Sequence, residues 1–335
     1  MMSTVSISEL VGSSLYAAIA DDAIKDEDNA AWVMELPPAE RQAWIERIGW
    51  IRNIDRLAEQ DLLDCEQSEF QDFQTAWQTL WATGQVPAAA PQREVLCAMH
   101  RHWFEQPQAP INQLSIQSWD RYVQALHRYH RENLVLETLE DFELMLNQLA
   151  ASFFQVLPFL QEQHWQAAGQ FGVVDQFYNI LRDLREDAEQ SICYLPLELL
   201  DRFGVTRTEV LQLRASENPG YPAMMRFWMY DYSHTLYRKA YPFILAPDLH
   251  PSWEILRDWC LYRYRRIERI LRYSQYDYVQ FPQRYWREVK RELALLLPSD
   301  CSKPFIKLDV VPNRPWTKTL FQFVEQAPNL FLGCT

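Results

Sequence analysis

In Gln176-Phe-Tyr-Asn-Ile-Leu-Arg-Asp-Leu-Arg-Glu-Asp187, the side chains of Gln176, Asn179, Asp183 and Asp187 recur at intervals of three, four and four residues. An α-helix places that spacing on one face. Between them stand Phe177, Tyr178, Ile180, Leu181 and Leu184, which leave little of such a helix for water. Two carboxylates about 6 Å apart, at an effective dielectric of about 20, repel by about 2.8 kcal/mol. Water tolerates such a stripe on an exposed face. A buried stripe calls for a cation, and Mg²⁺ bridging to a diphosphate suits oxygen ligands that leave room for water. A solvated acidic face and a metal-holding face are the two readings, and burial separates them.

The rest of the chain is equally helical in character. Its 335 residues are 48% hydrophobic, enough for a large core in one or two domains. With 8 glycines and long stretches without proline, it is poorly suited to a many-turned β fold, and no G-x-G-x-x-G or Walker-type loop occurs. A net charge of -13 argues against a nucleic-acid partner and against general attraction to anionic membranes. A local basic patch would still allow peripheral membrane contact. Six scattered cysteines without a C-x-x-C pair fit reduced thiols in a cytoplasmic protein. His100/His102 and His127/His130 lack the i, i+4 spacing of a helical zinc site. Met1 to Asn29 lacks the basic start and cleavage site of a signal peptide. No run reaches the roughly 18 apolar residues of a membrane span.

Three parts are expected: an acidic arm over 1–29, a helical domain over 30–298 and a less regular tail over 299–335 ending in Phe321, Phe323, Leu330 and Phe331. Leu36-Pro-Pro38 opens a long helix reaching about Asp64, with proline where its missing donor costs nothing. Helical patterns follow at roughly 68–82, 91–105, 117–132, 138–167, 169–190, 206–216, 221–243, 252–273 and 283–297.

Gln-x-x-Asn-Ile-Leu-Arg-Asp-x-x-Glu-Asp, followed by Tyr194-Leu-Pro196, resembles the second aspartate-rich motif of the squalene/phytoene synthases. Leu36-Pro-Pro-Ala-Glu-Arg41, Thr138 to Ala151, Leu236-Tyr-Arg-Lys-Ala240 and Tyr264 to Lys290 resemble further family helices in the same order. The resemblance implies an all-α, prenyl-synthase-type helical bundle around a central apolar cavity. It implies two acidic motifs facing each other across the mouth and holding Mg²⁺ for the diphosphates of two prenyl substrates joined head to head. A squalene product would require NADPH; a phytoene product would not.

Carried over by residue, the resemblance gives Asp183 and Asp187 as metal ligands on one wall, with Arg182, Asn179 and Gln176 toward diphosphate. For the opposite wall there are two candidates. Asp21-Asp22-Ala-Ile-Lys-Asp26 precedes the Leu-Pro-Pro helix, whereas the family motif follows it. Arg52-x-x-Asp55-Arg-Leu-Ala-Glu59 is better placed, giving Asp55 and Glu59 as metal ligands and Arg52 as a phosphate ligand. Asp55, Asp183, Asp187 and Tyr264 are the implied catalytic residues, and Tyr237 an implied substrate contact. Tyr237 and Tyr264 also read as core tyrosines with satisfied hydroxyls.

The chain departs from the family at Arg56, where an Asp is usual, at Met145 and Ala151, where Tyr and Gly are usual, and at Gln190-Ser-Ile192, where basic residues are usual. These departures leave a second reading: a non-catalytic member with a protein partner or a lipid ligand. Arg263, Arg265, Arg266, Arg269 and Arg272 read either as a solvated basic face or as a source of one or two arginines for a diphosphate or an acidic partner. Met224, Met225, Phe227, Trp228 and Met229 read as core.

Overall fold

The computed structural model describes residues 29–63, 68–129 and 134–296. The acidic run Asp21–Asp26 and the apolar tail lie outside the described residues. No strand occurs among the described residues, as the composition predicts. A short turn of helix at Asn29–Trp32 leads into α1 (Pro38–Leu63), followed by α2 (Glu69–Thr83), α3 (Arg93–Met99) and α4 (Pro110–Tyr129). Next come α5 (Leu139–Leu146), α6 (Trp165–Glu189), α7 (Leu197–Phe203) and α8 (Arg207–Leu211). The last four are α9 (Tyr221–Arg226), α10 (Ser233–Ile244), α11 (Pro251–Tyr273) and α12 (Phe281–Leu296). A π segment at Phe227–Tyr232 joins α9 to α10, and another at Asn147–Ala151 extends α5.

Local chemistry sets most of the boundaries. Thr138 and Asp141 close a capping box at the start of α5, and Thr206 and Glu209 do so for α8. Gly84 and Gly204, at φ +69° and +65°, end α2 and α7 in the left-handed region. Three expectations need correction. The helix expected from 117 begins at Pro110, because proline at a first helical position forfeits only a donor that had no partner there. The helix expected over 138–167 is two. A last helical turn ends at Phe154, and Pro158 and Phe159, at φ +59°, carry the chain across to α6. The short helix α7 falls in a stretch with no predicted helix.

α6 runs through the bundle, packed on α10, α11 and the π segment Asn147–Ala151. The approach to that segment is close: a Cβ on Gly172 would sit 2.6 Å from the Ala150 carbonyl oxygen. Tryptophans tie the entry to the far side. Trp44 meets Trp32 and Trp253 edge-on, each at 5.0 Å between centroids. The Met224, Met225, Trp228 and Met229 side chains are buried, as expected of core. The solvated basic face on α11 does not hold throughout. Arg263 and Arg266 are buried and paired with Asp175 and Glu292, at 2.5 and 2.7 Å. The interleaved tyrosines and the facing acids of α6 and α12 make that burial tolerable.

Candidate active site at the mouth of the bundle

One wall of the mouth is α1. The i, i+3 and i, i+4 spacing places Arg52, Asp55 and Glu59 on a common face, with Asp55 buried, Arg52 half-buried and Glu59 exposed. Arg52 Nη1 lies 3.5 Å from Asp55 Oδ2. Tyr122 on α4 hydrogen-bonds Asp55; burial first, then the charges of Asp55 and Glu59, push its phenol well up.

The other wall is the C-terminal half of α6. Asp183 and Asp187 are partly exposed, and Arg182 grips Asp183 through Nε and Nη2, at 2.6 and 2.7 Å. Tyr278, after α11, donates its hydroxyl to the Leu181 carbonyl at 2.8 Å. Burial raises its pKa most, with Tyr221, Asp183 and Asp187 adding to it.

Tyr194, in the loop after α6, joins the two walls. Its phenol is pushed up by burial and then by the charges of Asp187, Asp55, Glu59 and Asp183 together. The charges of all four carboxylates singled out from the sequence thus act on one phenol. The stripe is neither fully solvated nor fully buried: Asn179 is buried, whereas Gln176, Asp183 and Asp187 are partly open.

Below the mouth, a cavity of about 40 Å³ is lined by Arg52 and Asp55 above, by Trp32, Trp44 and Phe154, and by Asp175 and Arg263 within. Asp175 accepts from Arg263 Nη2 at 2.5 Å, from the Tyr264 hydroxyl at 2.7 Å and from Asn179 Nδ2 at 3.2 Å. Asn179 Oδ1 is buried and accepts no hydrogen bond. Tyr264 is fully buried and stacks on Tyr178 at 4.5 Å. Tyr237 is half-buried and hydrogen-bonds Tyr178, which donates in turn to Glu268. Tyr264 and Tyr237 therefore belong to a polar network between α6, α10 and α11, and neither lines the cavity.

Asp175, Tyr122 and Glu268 were not singled out for this site from the sequence. Asp175 carried a signal. It stands four residues before Asn179, eight before Asp183 and twelve before Asp187, so it starts the same helical row one turn earlier.

The donor set bears on a metal. Among the described residues, no three His, Cys, Asp or Glu side chains gather tightly enough to cage an ion. Mg²⁺ retains several waters and is commonly held by one or two carboxylates plus substrate phosphates. Two walls of partly hydrated carboxylates fit an ion that arrives with a diphosphate; they do not fit an all-protein cage.

An all-α bundle with paired acidic helices across the mouth of an apolar cavity defines the prenyl-synthase class of fold. The chain belongs to the squalene/phytoene synthase family, whose family model matches residues 24–290. Two solved structures share the fold. One is a dehydrosqualene synthase in complex with a ligand, 20% identical, with a TM-score of 0.60 over 83% of this chain and 95% of that one. The other is the squalene synthase HpnC of Alicyclobacillus acidocaldarius, 17% identical, with a TM-score of 0.58 over 80% of this chain and 96% of that one. No curated protein sequence matches the chain.

The departures from the family pattern have definite places. Met145 and Ala151 are buried, Ala151 at the end of the π segment against α6. Arg56 is half-buried on α1. Gln190 and Ser191 end α6, Ser191 at φ +62°, and the Ile192 amide donates to the Asp187 carbonyl at 2.8 Å.

Proposed function

We propose that the protein joins two prenyl diphosphates head to head with loss of diphosphate, as a Mg²⁺-dependent prenyltransferase. The observation that carries this reading is the aromatic cavity that Arg52 and Asp55 of one acidic row line, with the charges of Asp55, Glu59, Asp183 and Asp187 all acting on Tyr194. Arg52 and Arg182 are placed to exchange their carboxylates for phosphate oxygens, which guanidinium forks bind well. Asn179, held through its amide nitrogen by Asp175, keeps an oxygen available to the metal that would carry the diphosphate. Trp32, Trp44, Phe153 and Phe154 exclude water from an allylic cation and offer it π faces. Mg²⁺, held by the two carboxylate pairs, would stabilise the negative charge of the departing diphosphate. The prenyl tail would enter the apolar cavity, and NADPH is needed if the product is squalene.

The test is diphosphate release from farnesyl or geranylgeranyl diphosphate with Mg²⁺, with and without NADPH. Asp183→Ala should lower the rate by on the order of a hundredfold. An Asp183→Ala variant as fast as the parent chain would overturn the assignment.

One observation favours a second reading, a non-catalytic member that holds a lipid or a protein partner. The cavity is about 40 Å³, against roughly 300–1,000 Å³ for sites that bury a small molecule. A substrate tail enters only if the aromatic walls part. No release from either diphosphate by the folded protein, together with saturable capture of a prenyl lipid or a protein partner, supports this second reading. Among the described residues, no helix is long and apolar enough to cross a membrane.

A further inference from the structure

A second cavity, of about 290 Å³, opens where α4, the π segment Asn147–Ala151 and the start of α6 meet. Trp165 and Asp183 are 18 residues apart on α6, so this cavity lies about 27 Å along that helix from the acidic mouth. Its polar lining is Arg121, Asn147, Gln148, Gln155, Gln166 and Gln170, with no carboxylate among the described lining residues.

The floor is built rather than left over. Gln155 is 5% exposed, accepts from the Ser118 hydroxyl at 3.1 Å and donates to the Trp165 carbonyl at 3.2 Å. Gly169 makes room for it, since a Cβ there would lie 2.7 Å from the Gln155 amide nitrogen. The π segment, a helical irregularity common at functional sites, supplies Asn147 and Gln148. Gln148 spends its oxygen on the Tyr129 hydroxyl at 3.1 Å, which leaves its NH₂ group to donate.

Two features give this cavity a positive character. Arg121 meets no carboxylate among the described residues; its guanidinium lies 5.9 Å from the Trp165 ring centroid. The cavity borders the N-terminus of the 25-residue helix α6, whose positive end adds to the potential there. Trp165, 7% exposed, adds an aromatic wall to the cavity.

We propose that this cavity is a binding site for a small oxyanion, the phosphate or carboxylate group of a polar metabolite, separate from the diphosphate site. Arg121 and the start of α6 take the charge, and the amides of Gln148, Gln166 and Gln170 take the polar body.

Calorimetric titration of the full chain with sodium phosphate and with sodium citrate, in EDTA, tests the proposal. Without metal the carboxylate mouth repels anions, so binding reports on this cavity and does not depend on the proposed transferase activity. Saturable binding of one anion per chain is expected, and the tighter probe tells phosphate from carboxylate. Arg121→Gln should abolish it. Gln166→Glu should weaken it about tenfold by bringing a negative charge into the lining. That carboxylate also suits the first turn of α6, so the fold is retained. Absence of saturable binding to both probes, or undiminished binding in folded Arg121→Gln or Gln166→Glu, overturns the proposal.

Discussion

Replacing Asp175 by asparagine tests the buried chemistry beneath the mouth. The Asp175 and Arg263 side chains are 3% and 2% exposed, so water cannot compensate either charge once the other is removed. Asparagine keeps one acceptor for the Tyr264 hydroxyl, but its NH₂ must then point at another donor, Arg263 Nη2 or Asn179 Nδ2. Breaking a buried pair in this way costs about 3–5 kcal/mol. An unfolding entropy of about 2.1 cal/mol/K per residue over about 300 residues converts that cost to a fall in Tm of about 5–8 °C. The double variant Asp175→Asn/Arg263→Met removes the stranded guanidinium along with its partner and should recover most of the loss. Thermal unfolding followed by far-UV circular dichroism on the parent, both single variants and the double variant reads the coupling directly. The reasoning fails if Asp175→Asn melts within about 2 °C of the parent, equivalent to about 1 kcal/mol. It also fails if the double variant is no more stable than Asp175→Asn alone.

Two glycines make a contrasting pair. Gly172→Ala would place a methyl 2.6 Å from the Ala150 oxygen and 2.7 Å from Phe154, and should cost about 1–3 kcal/mol in urea unfolding. Gly49→Ala in α1 meets nothing within 4 Å and should stabilise by about 0.5–1 kcal/mol; loss of stability there would contradict the open space beside it. Glu268 supplies a pH test, because burial raises its pKa above the ordinary 4.5, against the lowering effects of the Tyr178 hydrogen bond and of Arg272 and Arg265. A carboxyl raised in the folded state contributes stability that is full below the unfolded value and is lost as pH rises through the folded one. Glu268→Gln cannot lose that contribution, so its Tm relative to the parent should climb from pH 4.5 toward neutrality and then level off. A constant difference across that window would show that Glu268 is not raised.

Much of the fold was legible because its signals are local. Apolar periodicity, the proline at the start of α1 and the threonine capping residues each act within one or two turns of helix. The acidic rows on α1 and α6 were legible for the same reason, since i, i+4 spacing is a property of one helix. What stayed hidden depends on which helices meet. Arg263 and Arg266 read naturally as solvated charges, because nothing on α11 announces that Asp175 and Glu292 will face them. Tyr264 and Tyr237 resembled cavity residues, but their hydroxyls are committed to Asp175 and to the Tyr178–Glu268 pair. The break at Pro158 was visible as a proline; that it turns the chain fully, through Phe159 at φ +59°, was not.

The mouth itself carries an unusual internal balance. Asp183 already faces a guanidinium through a bidentate contact, and Asp55 faces one at 3.5 Å. That pairing offsets part of the mutual repulsion, about 2.8 kcal/mol for each pair at about 6 Å. On the proposed reading, a diphosphate draws Arg182 and Arg52 toward its oxygens. The carboxylates they leave behind then repel one another at full strength, and a dication becomes the favourable neighbour. Anion and metal should therefore bind cooperatively, each raising the affinity of the other by the same factor. A titration of Mg²⁺ with and without inorganic diphosphate, corrected for their association in solution, measures that factor. Arg182→Gln should raise metal affinity in the absence of diphosphate and shrink the coupling. Metal affinity unaffected by both the anion and the substitution would mean that the arginine pairs are static parts of the fold and play no part in the exchange.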